Sequence, residues 1–250
     1  MSHTDTLDIK AAASRFVETI GSSQTLDHLP IQEASLPTTL DSEVMSSVLP
    51  SKPSTEPTVV RLEDVDIPVP ALQKENPDIN RFSAGFIILH QHPVVSSKQQ
   101  ALLIQRGCDG SWGETWEGPG GGYAPDEDVT IKHTALRETQ EEAGVVVPLK
   151  AIFPLVYRTT FEHKGLRMAY YTFVAQLDEE VPVTLSHEHL AWGFFDEEYV
   201  GNFGPFNNEK SRRQQFVMLE DKKRILCHIF KNRESLKNGV KDGIMPVNAK

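Results

Sequence analysis

"GPGGGYAPDEDVTIKHTALRETQEEAGV", residues 118–145, is the stretch on which the reading of this chain turns. Ile131, Ala135 and Thr139 recur at helical spacing, and Gly144 supplies a stop, so we expect a helix over about 130–143 with Asp128 capping its start. On that helix Glu138 and Glu142 are one turn apart and Glu141 is three residues from Glu138, so all three carboxylates project to nearly the same side. Like charges at these spacings repel by ~0.2–0.5 kcal/mol per pair even in water. The negative end of the helix dipole adds to the repulsion. Arg137 offsets part of it by pairing with Glu141 four residues on. A hard divalent cation, Mg²⁺ or Mn²⁺, offsets far more, because such ions take oxygen ligands and retain water and phosphate oxygens as further ones. Acidic clusters on helices are commonly wet surface. What separates this one is "WEGPGGG" at 116–122, whose glycines and Pro119 allow sharp turns and close backbone approach, and offer a backbone carbonyl as a further ligand.

Outward from this stretch the chain divides by texture. Its 250 residues carry a net charge of −10, from 25 basic and 35 acidic residues, and 39% are apolar. That balance lacks the basic footprint of a protein that grips nucleic-acid polymers or an anionic membrane. Cys108 and Cys227 lie too far apart for a metal spacing or a disulfide framework, and no signal core or membrane-length apolar run is read, so an intracellular setting is expected, cytoplasmic or nuclear. Residues 1–75 read as a flexible arm with one amphipathic helix over 7–20, because Pro30, Pro37, Pro50, Pro53, Pro57, Pro68 and Pro70 punctuate the rest. Residues 76–235 read as the folded domain and 236–250 as a tail. Within the domain, "FSAGFIILH" (82–90) and "ALLIQR" (101–106) make one hairpin. "AIFPLVYRTTFE" (151–162) and "GLRMAYYTFVAQL" (165–177) make another around "HKG", and "HLAWGFFD" (189–196) is a further strand. Residues 207–232 read as a C-terminal helical stretch with Phe216, Leu219, Ile225 and Ile229 as core candidates. Strands and helices are mixed, so the expected architecture is α/β, a mixed sheet covered by helices.

The stretch resembles the signature of the Nudix hydrolases: Gly, five residues, Glu, seven residues, then Arg-Glu-apolar-x-Glu-Glu-x-Gly-apolar. Arg137, Glu138, Glu141, Glu142, Gly144 and Val145 match its second half, and the flanking hairpins and "WE-x-PGG" loop resemble the family over about residues 81–200. The first half departs. Gly121 to Glu127 is the expected six steps, but Glu127 to Arg137 is ten rather than eight; Gly122 to Asp128 is also six, leaving nine to Arg137 and exchanging Glu for Asp. Asp126, Glu127 and Asp128 thus compete for the first-glutamate role. Thr139 stands where the family has an apolar residue, and its hydroxyl can bond the carbonyl four residues back.

The resemblance implies an α/β/α sandwich with a mixed β-sheet. It implies metal-dependent hydrolysis of a small-molecule diphosphate, a nucleoside diphosphate linked to another moiety or a related organic diphosphate. Glu138 and Glu142 would be ligands of Mg²⁺ or Mn²⁺, Glu141 a ligand or base, and Arg137 their support. The carbonyl of Gly121 or Gly122 would complete the shell, and Glu127 or Asp128 would act through water. Glu188 is a candidate base from the later "LSHEHLAW" segment, with Glu162 as a second; His187 and His189 beside it read as surface or packing histidines. Arg106, Arg158 and Arg167 are candidate phosphate contacts. Trp112 is a candidate stacking surface, and Trp116 reads as a core anchor. Many relatives are dimers, so a homodimer is compatible with the resemblance. Two other readings stand beside it: a ligand-binding or scaffold protein without turnover, and an enzyme acting on an isoprenoid diphosphate.

Overall fold

Strand β2 (Arg81–Gln91) is buried along nearly its whole length, which requires partners on both edges and cover on both faces. The computed structural model describes residues 56–91, 98–108, 112–178, 181–205 and 216–240. The helix expected over 7–20 lies outside them. One edge of β2 runs parallel to β7 (Leu166–Leu177) from Arg81↔Met168 to His90↔Leu177. β7 pairs antiparallel with β6 (Leu155–His163), and β6 with β1 (Thr58–Arg61). The β6–β7 hairpin turns on Lys164 and Gly165, both at positive φ, as the tightest hairpin turns require.

The other edge of β2 is shared. β3 (Gln99–Arg106) pairs with it only from Ile88↔Leu102 to Gln91↔Gln99. Beyond that the two strands part, and β4 (Trp116–Glu117) lies against β3 while β5 (Gly120–Gly122) lies against β2 at 83–85. β8 (His189–Asp196) covers the far edge of β3. What reads in sequence as one long Gly- and Trp-rich loop therefore contributes two short strands inside the sheet. Glycine makes this possible: a Cβ on Gly120 would stand 2.4 Å from the Cα of Gly85 and 2.5 Å from the Tyr170 hydroxyl.

Alternation along β2 assigns the two cores. Phe82, Ala84, Phe86 and Ile88 face Ile131 and Ala135 of helix α3 (Ile131–Ala143), together with Val65, Val69 and Leu72 of α1 (Leu62–Val65) and α2 (Val69–Glu75). Ile87 and Leu89 face Ile225, Leu226 and Ile229 of helix α5 (Glu220–Lys237), with Val200 of the short α4 (Glu197–Gly201) in the same cluster. The result is the expected α/β/α sandwich with a mixed sheet. A small parallel pair, β9 (Gly204–Pro205) with β10 (Val217–Met218), precedes α5. Among the described residues no helix is long and apolar enough to cross a membrane.

Three expectations are corrected. Residues 58–75 are not arm: β1 extends the sheet, and Val65, Val69 and Leu72 are buried in the α3-side core. The prolines misled because Pro68 and Pro70 stand at the start of α2, where no backbone N–H is needed. This segment is tied to α3, since Asp66 accepts from Thr130 Oγ1 at 3.1 Å and pairs with Lys132. Second, the cap of α3 is Thr130, whose side chain accepts from His133 N at 3.3 Å; Asp128 is committed elsewhere. Third, the C-terminal helix starts at Glu220. Phe216 instead stacks on Trp116 with ring centroids 5.6 Å apart, and Leu219 is the N-cap residue; Ile225 and Ile229 are buried as expected, and 207–215 lie outside the described residues.

Truncating Leu72, 2% exposed in the α3-side core, tests the first correction. Leu72→Ala should lower unfolding free energy by about 2–5 kcal/mol, read as a fall in the urea midpoint; a residue in a flexible arm would leave the midpoint unmoved.

Candidate active site

Helix α3 runs past β5, and its acidic face meets the glycines there. Glu142, 8% exposed, accepts the backbone N–H of Gly120 on Oε2 at 2.7 Å. Glu138 lies against the next residue: a Cβ on Gly121 would be 2.4–2.6 Å from the three atoms of its carboxylate, so any side chain there would displace that carboxylate. The two carboxylates therefore bracket one short strand. Glu141 points outward, its side chain 54% exposed, and accepts from Arg137 Nη1 at 2.9 Å. Gly144, at φ 68°, ends the helix in the left-handed conformation. Beyond it, Thr184 N and Ser186 N donate to the carbonyls of Ala143 and Glu142 at 2.9 and 3.0 Å, which draws the 181–189 segment over the helix end.

Arg137 is the junction of the site. Its Nε and Nη2 donate to the two oxygens of Asp128 at 3.0 and 2.9 Å, Nη2 also reaches the Gly122 carbonyl at 2.9 Å, and Nη1 lies 2.9 Å from Glu138. The rivalry within "DED" is thereby resolved in favour of Asp128. Its side chain is 1% exposed and also accepts from Ala124 N at 3.0 Å and Thr134 Oγ1 at 2.9 Å. Glu127 stays 61% exposed and 3.5 Å from Arg137 Nε. In the turn that presents Asp128, Glu127 N and Asp128 N both return to the Ala124 carbonyl. Because Gly122 O is engaged by Arg137, Gly121 is the better placed of the two carbonyls expected to serve a cation.

The electrostatics follow from burial. Burial raises Glu142 to about 8, with Glu117 and Glu138 adding to the rise against the Gly120 N–H and Arg106. Burial also raises Glu138, against its pairing with Arg137. At Asp128 burial opposes the charge, but the Arg137, Ala124 and Thr134 hydrogen bonds outweigh it and hold the carboxyl below its ordinary range. Glu138 and Glu142 both supply the oxygen donors a hard divalent cation takes, and a cation there would hold them ionised against the cost of desolvation. Among the described residues, no three acid, His or Cys side chains are already gathered as a metal site. Glu138 and Glu142 thus fit a cation as a pair, with the rest of its shell left to water, a backbone carbonyl or substrate oxygens, as Mg²⁺ commonly accepts.

Beside the expected Arg106, the site holds three groups that the sequence reading did not place there: Glu117, His189 and Lys222. Arg106 donates from Nη1 to Glu117 Oε1 at 2.6 Å, Lys222 of α5 lies 3.8 Å from Glu117 Oε2, and His189 Nε2 stands 3.5 Å from Glu142 Oε1. Burial, seconded by Arg106, lowers the pKa of His189, so its contact with Glu142 is made by a neutral ring. Glu117 and His189 stood in quoted motifs; Lys222 had no local signal at all.

The remaining candidates divide. Arg106 joins the site through Glu117. Glu188 is exposed on its rim, its carbonyl accepting from Gly107 N at 2.7 Å, one residue before His189. Arg158 is held by Asn76 Oδ1 at 2.8 Å, and Arg167 pairs with Asp78 at 2.6 Å, so neither is drawn into the carboxylate network. Trp112 is not a bare platform: its ring lies 4.6 Å from that of His163 and meets Phe161 edge-on at 6.2 Å. Trp116 is the core anchor expected of it, 3% exposed. Glu162 is exposed on the β6–β7 hairpin. The back-bond expected of Thr139 is not made; its buried hydroxyl has no hydrogen-bond partner.

A family model described as NUDIX domain matches residues 92–218. The chain is 32% identical over 111 residues to a bis(5'-nucleosyl)-tetraphosphatase (asymmetrical) of Caenorhabditis elegans, a match covering 44% of this chain and 75% of the relative. Among solved structures it is similar to a C. elegans Ap4A hydrolase binary complex, with 27% identity, TM-score 0.38, and coverage of 47% of this chain and 81% of that one. It is also similar to a MutT/nudix family protein from Enterococcus faecalis, with 17% identity, TM-score 0.47, and coverage of 73% and 74%.

The Asp128–Arg137 pair gives a pH test. Asp128's folded value lies below its ordinary 3.8, so its stabilisation is fully present above about pH 4 and is lost as pH falls through the lowered value. Asp128→Asn should therefore be clearly less stable than wild type at pH 7, with the gap closing in acid, whereas Glu127→Gln should track wild type throughout. Denaturant melts across pH 2–7 check both.

Proposed function

The chain belongs to the Nudix family of hydrolases acting on diphosphate bonds, and on that premise we propose that it is a metal-dependent enzyme that cleaves the diphosphate linkage of a nucleoside diphosphate joined to another moiety. The observation that carries this reading is the pair of carboxylates set against β5, buried Glu142 on Gly120 and partly buried Glu138 beside Gly121, the latter held by a guanidinium that is itself locked to Asp128. A helix face built this way is unfavourable unless a cation shares it.

Glu138 and Glu142 would hold Mg²⁺ or Mn²⁺, with the Gly121 carbonyl beside them. Such a cation, when bound, neutralises the diphosphate and acidifies a coordinated water. The chain's own groups do the rest. Arg137 keeps the α3 carboxylates in register with β5. Arg106, paired with Glu117 at 2.6 Å but still 34% exposed, would meet the incoming phosphates. A water then attacks phosphorus, the anhydride P–O bond breaks, and two phosphate-terminated products leave. Glu141 or Glu188, both exposed at the rim, would take the water's proton. The similarity to a bis(5'-nucleosyl)-tetraphosphatase makes a dinucleoside tetraphosphate the first compound to try.

Incubation with Mg²⁺ or Mn²⁺ and a panel of dinucleoside polyphosphates, ADP-ribose, NADH, sugar nucleotides, oxidised nucleotides and prenyl diphosphates should release a phosphate-terminated product in a metal-dependent way. Tight ligand binding without product from any member would favour the non-catalytic reading, and turnover of prenyl diphosphates alone the isoprenoid one. Glu142→Gln should cut kcat by about 100-fold or more while circular dichroism stays native; unaltered turnover would remove Glu142 from the site. Millimolar Mg²⁺ or Mn²⁺ should raise the Tm of wild type and not that of Glu142→Gln.

A further inference from the structure

Glu117 has two cations beside it. Arg106 Nη1 meets its Oε1 at 2.6 Å, a full charge-assisted hydrogen bond. Lys222 approaches Oε2 only to 3.8 Å, beyond hydrogen-bonding range, and its ammonium lies 3.1 Å above the centre of the Tyr170 ring. Arg106 already holds the carboxylate directly, whereas Lys222 makes only longer contacts, to Glu117 and electrostatically to Glu142 and Asp221, in a place where charge is costly: the Glu117 side chain is 11% exposed and that of Lys222 is 20%. Burial accordingly lowers the Lys222 pKa to about 8.

The location is informative. Tyr170's hydroxyl lies where Cβ atoms on Gly85 and Gly120 would be, and the N–H of Gly120 is bonded to Glu142. Lys222 therefore stands across β5 from the α3 carboxylates, beside Arg106. The cavity beneath its side chain, bounded by Gly85, Tyr170, Thr172 and Met218, measures about 10 Å³. That is room for one water at most. A larger anion must meet Lys222 and Arg106 from their solvent side, where both retain exposure. Lys222 also lies outside the residues matched by the family model, which end at 218; α5, which carries it, begins at 220.

We propose that Lys222 and Arg106 form an anion clamp that binds a phosphate of the substrate's chain lying beyond the phosphates at the Glu138–Glu142 pair, and so favours substrates with three or more linked phosphates. This rests on the diphosphatase reading for its setting, but it is testable without turnover. Lys222 is a substrate-binding residue in this scheme and moves no proton.

The probe is inorganic tripolyphosphate, titrated by calorimetry into the full-length protein, with pyrophosphate as the shorter control. Lys222→Met should weaken tripolyphosphate binding by about ten- to a hundredfold and pyrophosphate binding much less. Lys222→Arg should restore most of the difference, and wild-type binding should fall with salt more steeply than that of Lys222→Met. The Tm of Lys222→Met should stay close to wild type, because Lys222 makes no direct hydrogen bond to Glu117. Should Lys222→Met not fold, Lys222→Gln is read in the same titration. Equal tripolyphosphate affinity in wild type and variant, or equal losses for both anions, overturns the clamp. In turnover, Lys222→Met should raise KM for a dinucleoside tetraphosphate and leave that for ADP-ribose nearly unchanged. Loss of tripolyphosphate affinity in a protein that hydrolyses nothing would retain the clamp and sink the hydrolase reading, whereas hydrolysis with a silent Lys222→Met does the reverse.

Discussion

The bidentate bond between Arg137 and Asp128 is the interaction on which the site's geometry depends. A guanidinium presents its donors in a fixed fork, so once Nε and Nη2 are committed to the Asp128 carboxylate, the direction of Nη1 is set as well. Nη1 then meets Glu138 and Glu141, and the second contact of Nη2 takes the Gly122 carbonyl. One side chain thus binds the 124–128 turn, helix α3 and strand β5 into a single rigid unit. Burying these charges is tolerable because Asp128 has all of its partners: two from Arg137, one from a backbone amide and one from a hydroxyl. A lysine at 137 could neutralise Asp128 but could not hold three elements at once.

The second determinant is the parting of β2 and β3. With the strands separated, the 116–122 segment enters the sheet and puts Gly120 against Gly85. A sheet would ordinarily isolate its two faces. Here the side chain of Glu142, from the α3 face, reaches the strand from one side, while Tyr170, Glu117 and Lys222 approach from the α5 face. Acidic groups drawn from one layer and basic groups drawn from the other therefore meet across a single strand of glycines. A cation and a polyphosphate need that arrangement, because their opposite charges must be received side by side in a partly desolvated place.

Some of the local chemistry runs against expectation in an instructive way. Thr139 keeps an unpartnered hydroxyl at a fully buried position of α3, a cost for which the structure offers no compensating contact. His189 is buried, as a packing histidine should be, yet its packing partner is Glu142, and its lowered pKa keeps it neutral there. Trp112 had the look of a free stacking surface because the loop around it is glycine-rich. In the fold it closes against His163 and Phe161, bringing the loop after β3 to the tip of the β6–β7 hairpin.

The sequence by itself determined the elements whose signals are local. Helix α3 and its stop at Gly144, both hairpins, β8, and the convergence of Glu138 and Glu142 all follow from periodicity and turn chemistry within a few residues. The resemblance over 118–145 then selected the layered α/β/α arrangement. Only the tertiary structure decided what depends on contacts between distant segments. Asp128 rather than Glu127 meets Arg137 because the 124–128 turn presents it there, and a count of steps cannot see a turn. Residues 58–75 join the core because Leu72 and Val69 find α3 and the sheet waiting for them, whereas in sequence their prolines outweigh their apolar side chains. Lys222 reaches Glu117 across more than a hundred residues of chain. Such a pairing is set by where α5 docks on the sheet, and nothing in the neighbourhood of either residue encodes it.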